Sequence, residues 1–443
     1  MGSRLKVIAV LGGQWGDEGK GKVVDLLADR FTAVARYHGG HNAGHTVKFG
    51  DRHFALHLLP SGLLRGRIGV IGSGVVVDPD ALLSEIASVE AAGVAIGGNL
   101  RLSERAHVIL PHHRLLDGAR EKAAGDAKIG TTLRGIGPAY EAAAARRGIR
   151  VAELFRPATL RARVEAVVQE TGALLRALGA PEVPAAVETV EALTAAAEKL
   201  RPYVTDTGRF LRDHIKAGGT LLGEGAHGAM LDLCAGTYPF VTSSHCTSAS
   251  MASGLQIPPS ALDGSLVVLK AYTTRVGSGP FPTELDDEMG EFLRKRGNEF
   301  GTSTGRPRRT GWFDAVVGRT AVELSGAAAI ALTKLDVLDD VAEIPVCVGY
   351  RLRGAVTADV PALVEDLAAV EPVYERLPGW RAKTTAVTRP EDLPANARRY
   401  VGFIEDHVGA QAVLISTGPR REETIWRSDS PFLAALPQPL AAA

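Results

Sequence analysis

The sequence predicts an α/β fold, a mostly parallel central sheet wrapped by helices, and three observations carry that prediction. Val7-Ile8-Ala9-Val10-Leu11 is an unbroken apolar run, the mark of a strand buried on both faces of a parallel sheet. Glycines follow at once, and Lys22 to Arg30 then sets apolar residues three and four apart, as one face of a helix does. Similar apolar runs recur at 68–71, 266–269, 327–332 and 412–415, enough strands for a large sheet.

The remaining elements follow in order. Residues 159–217 are rich in Ala, Glu, Leu and Arg at helical spacing, broken by Gly179-Ala180-Pro181 and Pro184, and are expected to be a helical insertion. The tail after Pro431, with Pro437, Pro439 and three terminal alanines, is expected to fray. No internal repeat divides the chain, so residues 1–443 are expected to be one elaborated unit. Lys and Arg number 50 and Asp and Glu 50, so the formal net charge is zero. That balance argues against a chain that coats nucleic acid or an anionic membrane, and no apolar stretch is long enough for a span. Any anion must be held by local sites. Three cysteines (Cys234, Cys246, Cys347) and no C-x-x-C pair suit a reducing, cytoplasmic setting. The N-terminal apolar run is too short for a signal peptide.

Chemistry concentrates in two places. Gly12-Gly13-Gln14-Trp15-Gly16-Asp17-Glu18-Gly19-Lys20-Gly21-Lys22 sits where backbone N–H groups and a helix N-terminus cradle phosphates. It departs from a regular P-loop, with Gly21 where Ser or Thr would hold Mg²⁺. Asp17 is the odd feature, since an acid beside a phosphate repels it unless it binds a metal or moves a proton; Lys20 would offset the repulsion. Far downstream, Thr333-Lys334-Leu335-Asp336 follows a buried strand. In such a loop the Asp accepts from the ring N–H and amine of guanine while the Lys stem packs over the purine. Ser416-Thr417-Gly418-Pro419 would form a second wall for the base. His38, His41 and His45 have a spacing that zinc could use, but no further Cys or His cluster completes the set.

Together with these segments, Gly39-Gly40-His41-Asn42-Ala43-Gly44-His45-Thr46, 129–140, 224–228, 236–244, 270–277 and 297–301 give the chain a near full-length resemblance to the adenylosuccinate synthetases. The resemblance implies a sheet distantly like that of the GTPases and a homodimer. It also implies the joining of L-aspartate to C6 of IMP at the expense of GTP, through a 6-phosphoryl intermediate, with one Mg²⁺ per subunit. A 6-oxopurine is a poor electrophile, so phosphorylating O6 is the sensible activation. A carboxylate of pKa ~3.9 is a weak base for N1, and roughly 5–7 kcal/mol must be recovered by stabilising charge on O6.

By resemblance, Asp17 is the base and a Mg²⁺ ligand, the Gly44 carbonyl also touches the metal, and His45 donates toward phosphoryl oxygens beside Lys20. GTP would be held by Gly16, Glu18, Gly19, Lys20, Gly21 and Lys22, with Lys334, Asp336, Ser416 and Gly418 around the base. IMP would be held by Asn42, Thr132, His227, Thr242 and Arg306, with Arg146 arriving from the other subunit. Aspartate maps onto Gly301, Ser303, Thr304, Arg306 and Arg308, whose guanidinium forks suit carboxylates.

The chain departs from the family at Leu133, where glycine would allow positive φ; at His227 and His38, where glutamine is usual; at His245, where asparagine is common; and at Pro307, which removes a charge. Most of these changes surround the first nucleotide. They leave open a relative acting on a different IMP-like nucleotide, and a non-catalytic GTP-binding regulator stands as a third reading.

Overall fold

The computed structural model describes residues 4–42, 44–49, 52–180, 183–301 and 305–440. The central sheet is built from β1 (Val7–Gly12), β2 (Ala33–Arg36), β3 (Ile68–Ile71), β4 (Leu100–Ser103), β5 (Val204–Thr205), β6 (Leu221–Gly228), β7 (Gly264–Lys270), β8 (Ala329–Thr333), β9 (Gln411–Ser416) and β10 (Thr424–Trp426). Their order in space is β10-β9-β8-β7-β1-β6-β2-β3-β4-β5. Every neighbouring pair is parallel except β9 and β10. All six residues of β1 are buried, as a strand covered on both faces requires.

Helix α1 (Lys20–Ala28) packs Val23, Val24 and Leu27 against Ile8 and Val10 of β1, Leu222 of β6 and Leu266 of β7. At ~1.5–3 kcal/mol for each large apolar side chain fully buried, this contact anchors the glycine loop between a fixed strand and a fixed helix. The sheet grows in opposite directions from β1: the chain first builds β2 to β5 on one side, and later β7, β8 and β9 on the other. Ligands of open α/β sheets bind at such a reversal, outside the carboxyl ends of the strands. The loops after β1, β8 and β9 all leave from that edge.

Two expectations need correction. The stretch read as a helical insertion holds helices at Pro157–Ala177, Ala186–Leu200 and Thr207–Lys216, but it also contributes β5, one of the two edge strands of the sheet. Two residues of extended chain are too short to show an alternating pattern. The tail does not fray as far as Leu440. A helix at Pro431–Ala435 buries Phe432, Leu433 and Leu436 against the α1 layer, and Leu440 N–H donates to Asp29 O at 2.7 Å. Among the described residues no helix is long and apolar enough to cross a membrane.

Candidate active site

The glycine loop is shaped from inside by Glu18. Its carboxylate is fully buried, accepts from the N–H of Gln14 at 3.0 Å and of Gly16 at 2.9 Å, and pairs with Lys20 at 2.6 Å. Burial would raise this carboxyl, yet Lys20 and the loop N–H groups hold it below its ordinary value. A Cβ at Gly12 would stand 2.3 Å from that carboxylate and would push it off its loop N–H partners. The Glu18 side chain thus props the loop from inside and does not line the cavity, so any contact of this residue with GTP would come from its backbone. Lys20 lines the cavity, but its charge is spent on Glu18 rather than on Asp17.

A cavity of 1570 Å³ opens at the switch point. That exceeds the ~300–1,000 Å³ of a site for one small ligand, so it has room for more than one substrate. Gly16, Gly19, Lys20, Gly21 and Lys22 line it on the phosphate-loop side, with Lys334, Asp336, Ser416 and Gly418 on the far wall. No side chain caps α1, which leaves its positive end for an anion. Lys22 Nζ donates to Ser416 Oγ and Gly418 O, both at 2.7 Å, and to Glu423 O at 2.8 Å, stitching the loop to the β9 wall. Burial pulls this ammonium down to about 8. Asp336 is raised by burial.

On the opposite side lie Asn42, Gly44, His45, Thr132, His227 and Thr242. His45 Nδ1 meets Glu224, which also accepts from Ser61 N at 2.8 Å and Ser61 Oγ at 2.9 Å and has Arg36 at 3.9 Å. Burial would raise the Glu224 carboxyl; His45, Arg36 and the Ser61 N–H outweigh it and hold it low. With Glu224 ionised, His45 carries its proton on Nδ1, and its Nε2 is buried without a partner. Burial lowers the His45 pKa in spite of Glu224. Asp17, in the left-handed region at φ 60, pairs its Oδ2 with Arg308 Nε at 2.8 Å.

Both unusual histidines behave as neutral hydrogen-bonding groups. Burial, then Lys20, Arg36 and His45, drive His227 down to about 3; its Nε2 lies 3.1 Å from Asn42 Nδ2. His38 Nε2 accepts from Ala226 N–H at 3.1 Å and its Nδ1 meets Ser244 Oγ at 3.1 Å. A neutral imidazole offers one donor and one acceptor, as a glutamine amide does in part, so each histidine can make hydrogen bonds of the kind a glutamine would make there. A register shift between β1 and β6, after the Val10–Glu224 pair, carries His227 to the wall.

The three histidines of the spaced set separate, His41 facing Asp78 at 3.7 Å and His45 facing Glu224. His38 instead groups with His227 and Cys246, their donor atoms within 4.8 Å of one another, but both His38 nitrogens are already spent.

Leu133 does take the conformation expected of glycine, at φ 57, with its side chain turned out and 53% exposed. Its loop is held by Glu121, which accepts from Ile129, Gly130 and Thr131 N–H, and by Asp117, which accepts from Thr131 Oγ1 and Gly135 N–H. Gly301, Arg306 and Arg308 line the cavity, whereas Ser303 and Thr304 lie outside the described residues. Arg146 is exposed, at φ 63, and does not line its own chain's cavity. Two acids escaped the sequence reading, Glu224 and Glu299. Each is the one acid of a glycine-flanked segment, and the cations that pair with it, Arg36 and His45 for Glu224 and Lys270, Lys334 and Arg308 for Glu299, come from elsewhere in the chain.

The sequence profile of the family described as adenylosuccinate synthetase matches residues 9–425. An adenylosuccinate synthetase of Solibacter usitatus is 49% identical over 426 residues, covering 96% of this chain and 98% of that protein. One of Heliobacterium modesticaldum is 50% identical over 422 residues, covering 95% and 99%. The fully ligated adenylosuccinate synthetase of Plasmodium falciparum superposes with a TM-score of 0.90 at 36% identity, covering 96% of this chain and all of that one. A succinoaminodeoxyadenylate synthetase of cyanophage S-2L, 20% identical with 95% of both chains covered and a TM-score of 0.60, shares the fold. Loops that converge on one cavity from across the sequence, and near full-length similarity to these proteins, have one explanation: the chain belongs to the adenylosuccinate synthetase family.

Proposed function

We propose that this chain joins L-aspartate to C6 of IMP, converting GTP to GDP and phosphate and forming adenylosuccinate for purine nucleotide synthesis. The observation that carries the reading is the convergence of Asp17, the His45–Glu224 pair and Asp336 on one cavity large enough for two nucleotides. A switch that merely bound GTP would need only the last of these.

Asp17 takes the proton from N1 as O6 attacks the γ-phosphorus, forming the O6–P bond while the bond to the β-bridging oxygen breaks. The aspartate amine then forms the C6–N bond, and O6 leaves with the phosphate. His45, placed by Glu224, must hold protons on both ring nitrogens to donate toward the phosphoryl oxygens, and the negative charge of the nucleotide favours that form. Mg²⁺ fits the oxygen donors on the wall: the Asp17 carboxylate and Gly44 carbonyl would hold it, and it would supply charge neutralisation on phosphate. Arg308 must release Asp17 for either role, and with Arg306 it would receive the aspartate carboxylates. Asn42, Thr132, His227 and Thr242 would hold IMP. Arg146, turned away from its own cavity, would reach the neighbouring site in a homodimer.

IMP labelled with heavy oxygen at O6 tests the route. The label is expected in the released phosphate, and its retention in the product nucleotide would overturn the mechanism. A nucleotide panel run with GTP and aspartate is expected to favour IMP over its 2′-deoxy and base-modified relatives.

A further inference from the structure

Glu299 sits between the wall that would read guanine and the loop that would hold aspartate. Its two carboxylate oxygens are divided between them. Oε1 accepts from Lys334 Nζ at 2.7 Å, from Lys270 Nζ at 2.9 Å and from Tyr272 OH at 2.5 Å. Oε2 accepts from Arg308 Nη1 at 2.8 Å, and the same guanidinium reaches Asp17 through Nε. The backbone repeats the connection, since Arg308 N–H donates to Glu299 O at 3.0 Å and Lys334 Nζ donates to Gly297 O at 2.6 Å.

A carboxylate is planar and rigid, so one oxygen cannot be repositioned without moving the other. Glu299 is fully buried, whereas the Lys334 side chain is 31% exposed and free to respond to a purine laid on its stem. Burial would raise the Glu299 carboxyl, but Lys270, Lys334 and Arg308 hold it far below the ordinary range, so it stays ionised. Burial draws Lys270 down to about 8. Gly301 N–H, bonded to Arg306 O at 2.9 Å, closes the loop directly after Glu299. Residues 297–301 are thus the root of the aspartate loop and the resting place of the base-reading lysine.

We propose that Glu299 is a positioning residue that couples guanine nucleotide binding to aspartate binding by fixing Lys334 and Arg308 through opposite oxygens of one carboxylate. The proposal rests on the substrate reading above. Coupling of this kind is reciprocal, so each ligand must tighten the other by the same factor.

Equilibrium dialysis of labelled L-aspartate with IMP present, with and without a non-hydrolysable GTP analogue, measures that factor; titrating the analogue with and without aspartate measures its reciprocal. The wild-type protein is expected to show at least about a fivefold mutual tightening. Glu299→Gln should bring the factor near one, and so should Lys334→Met, which removes the ammonium that Glu299 holds and keeps most of the side-chain stem. Tyr272→Phe removes a contact to Oε1 without touching Lys334 or Arg308, and should keep the wild-type factor. A purely structural role for Glu299 would weaken each ligand separately and leave the ratio unmoved. Both ligands binding with a factor of one, or a wild-type factor in Lys334→Met, would overturn the coupling alone. Failure of the wild type to bind either ligand would overturn the substrate reading and the coupling with it.

Discussion

Nδ1 of His45 is bonded to Glu224, a residue of β6, the strand that lies directly beside the one from which the glycine loop springs. The imidazole therefore has its tautomer and its direction set by a strand of the central sheet rather than by the short strand His45–Phe49 that it begins.

Replacing Glu224 by Gln keeps the shape but removes the charge that holds the proton on Nδ1 and that supports the imidazolium. We expect kcat to fall about 10²-fold or more, the scale of a lost acid–base group, with little change in KM for IMP or GTP. Steady-state kinetics decides it; a rise in KM at constant kcat would mean that His45 only binds. Because the Glu224 carboxyl lies below its ordinary value when folded, its contribution to stability is present above pH ~4.5 and lost as pH falls further. The variant should lose less stability on acidification than the wild type.

Asp336 is expected to discriminate bases by accepting two hydrogen bonds. Asp336→Asn presents a donor instead, which suits the 2-oxo group of xanthine. The preference for GTP over XTP should reverse, with a swing of about 10²-fold or more in kcat/KM. An unchanged preference in a comparison of the two triphosphates would remove Asp336 from base recognition.

Asp17→Ala separates catalysis from binding. Turnover should collapse by about 10²-fold or more, while a GTP analogue still binds in calorimetry, because the loop is shaped by Glu18 and not by Asp17. Loss of nucleotide binding together with turnover would count against the base assignment.

Far from the site, Asp314 caps the helix Ala315–Ser325, its Oδ1 accepting from Val316 and Val317 N–H and its Oδ2 from Tyr350 OH at 2.6 Å. Burial raises its pKa from 3.8 to about 6. Between those values the folded chain keeps a proton that the unfolded chain has released. Stability is thus greatest below pH ~4 for this group and falls as pH rises through about 6, by roughly 3 kcal/mol if each pK unit is worth ~1.4. Asp314→Asn keeps the cap and removes the titration. Urea midpoints across pH 4 to 7 should decline less in the variant, and parallel declines would assign the pH dependence to other groups.

Five strands of the central sheet were legible from residue pattern alone. β1 and the runs in β3, β7, β8 and β9 are apolar throughout, because a strand covered on both faces has no polar side to present. β6 was not, since Leu221-Leu222-Gly223-Glu224-Gly225-Ala226-His227-Gly228 trades apolar residues for a buried acid and for glycines that let other groups approach. At Gly228, for example, a Cβ would stand 2.1 Å from Gln14 O.

The segments proposed to hold phosphate, base and aspartate could be picked out, and line one cavity, because each is a local device, a run of N–H groups or charges set by adjacent residues. The partners of those devices were not. Glu18 reads in sequence as another loop acid and proves to be the loop's internal prop, and Glu299 stands 35 positions from the lysine it holds. Sequence by itself determined which segments could bind phosphate, purine and carboxylate. Tertiary structure alone decided which buried carboxylate orders each cation, because an ion pair depends on distance in space and on exclusion of water, and neither is written in the order of residues.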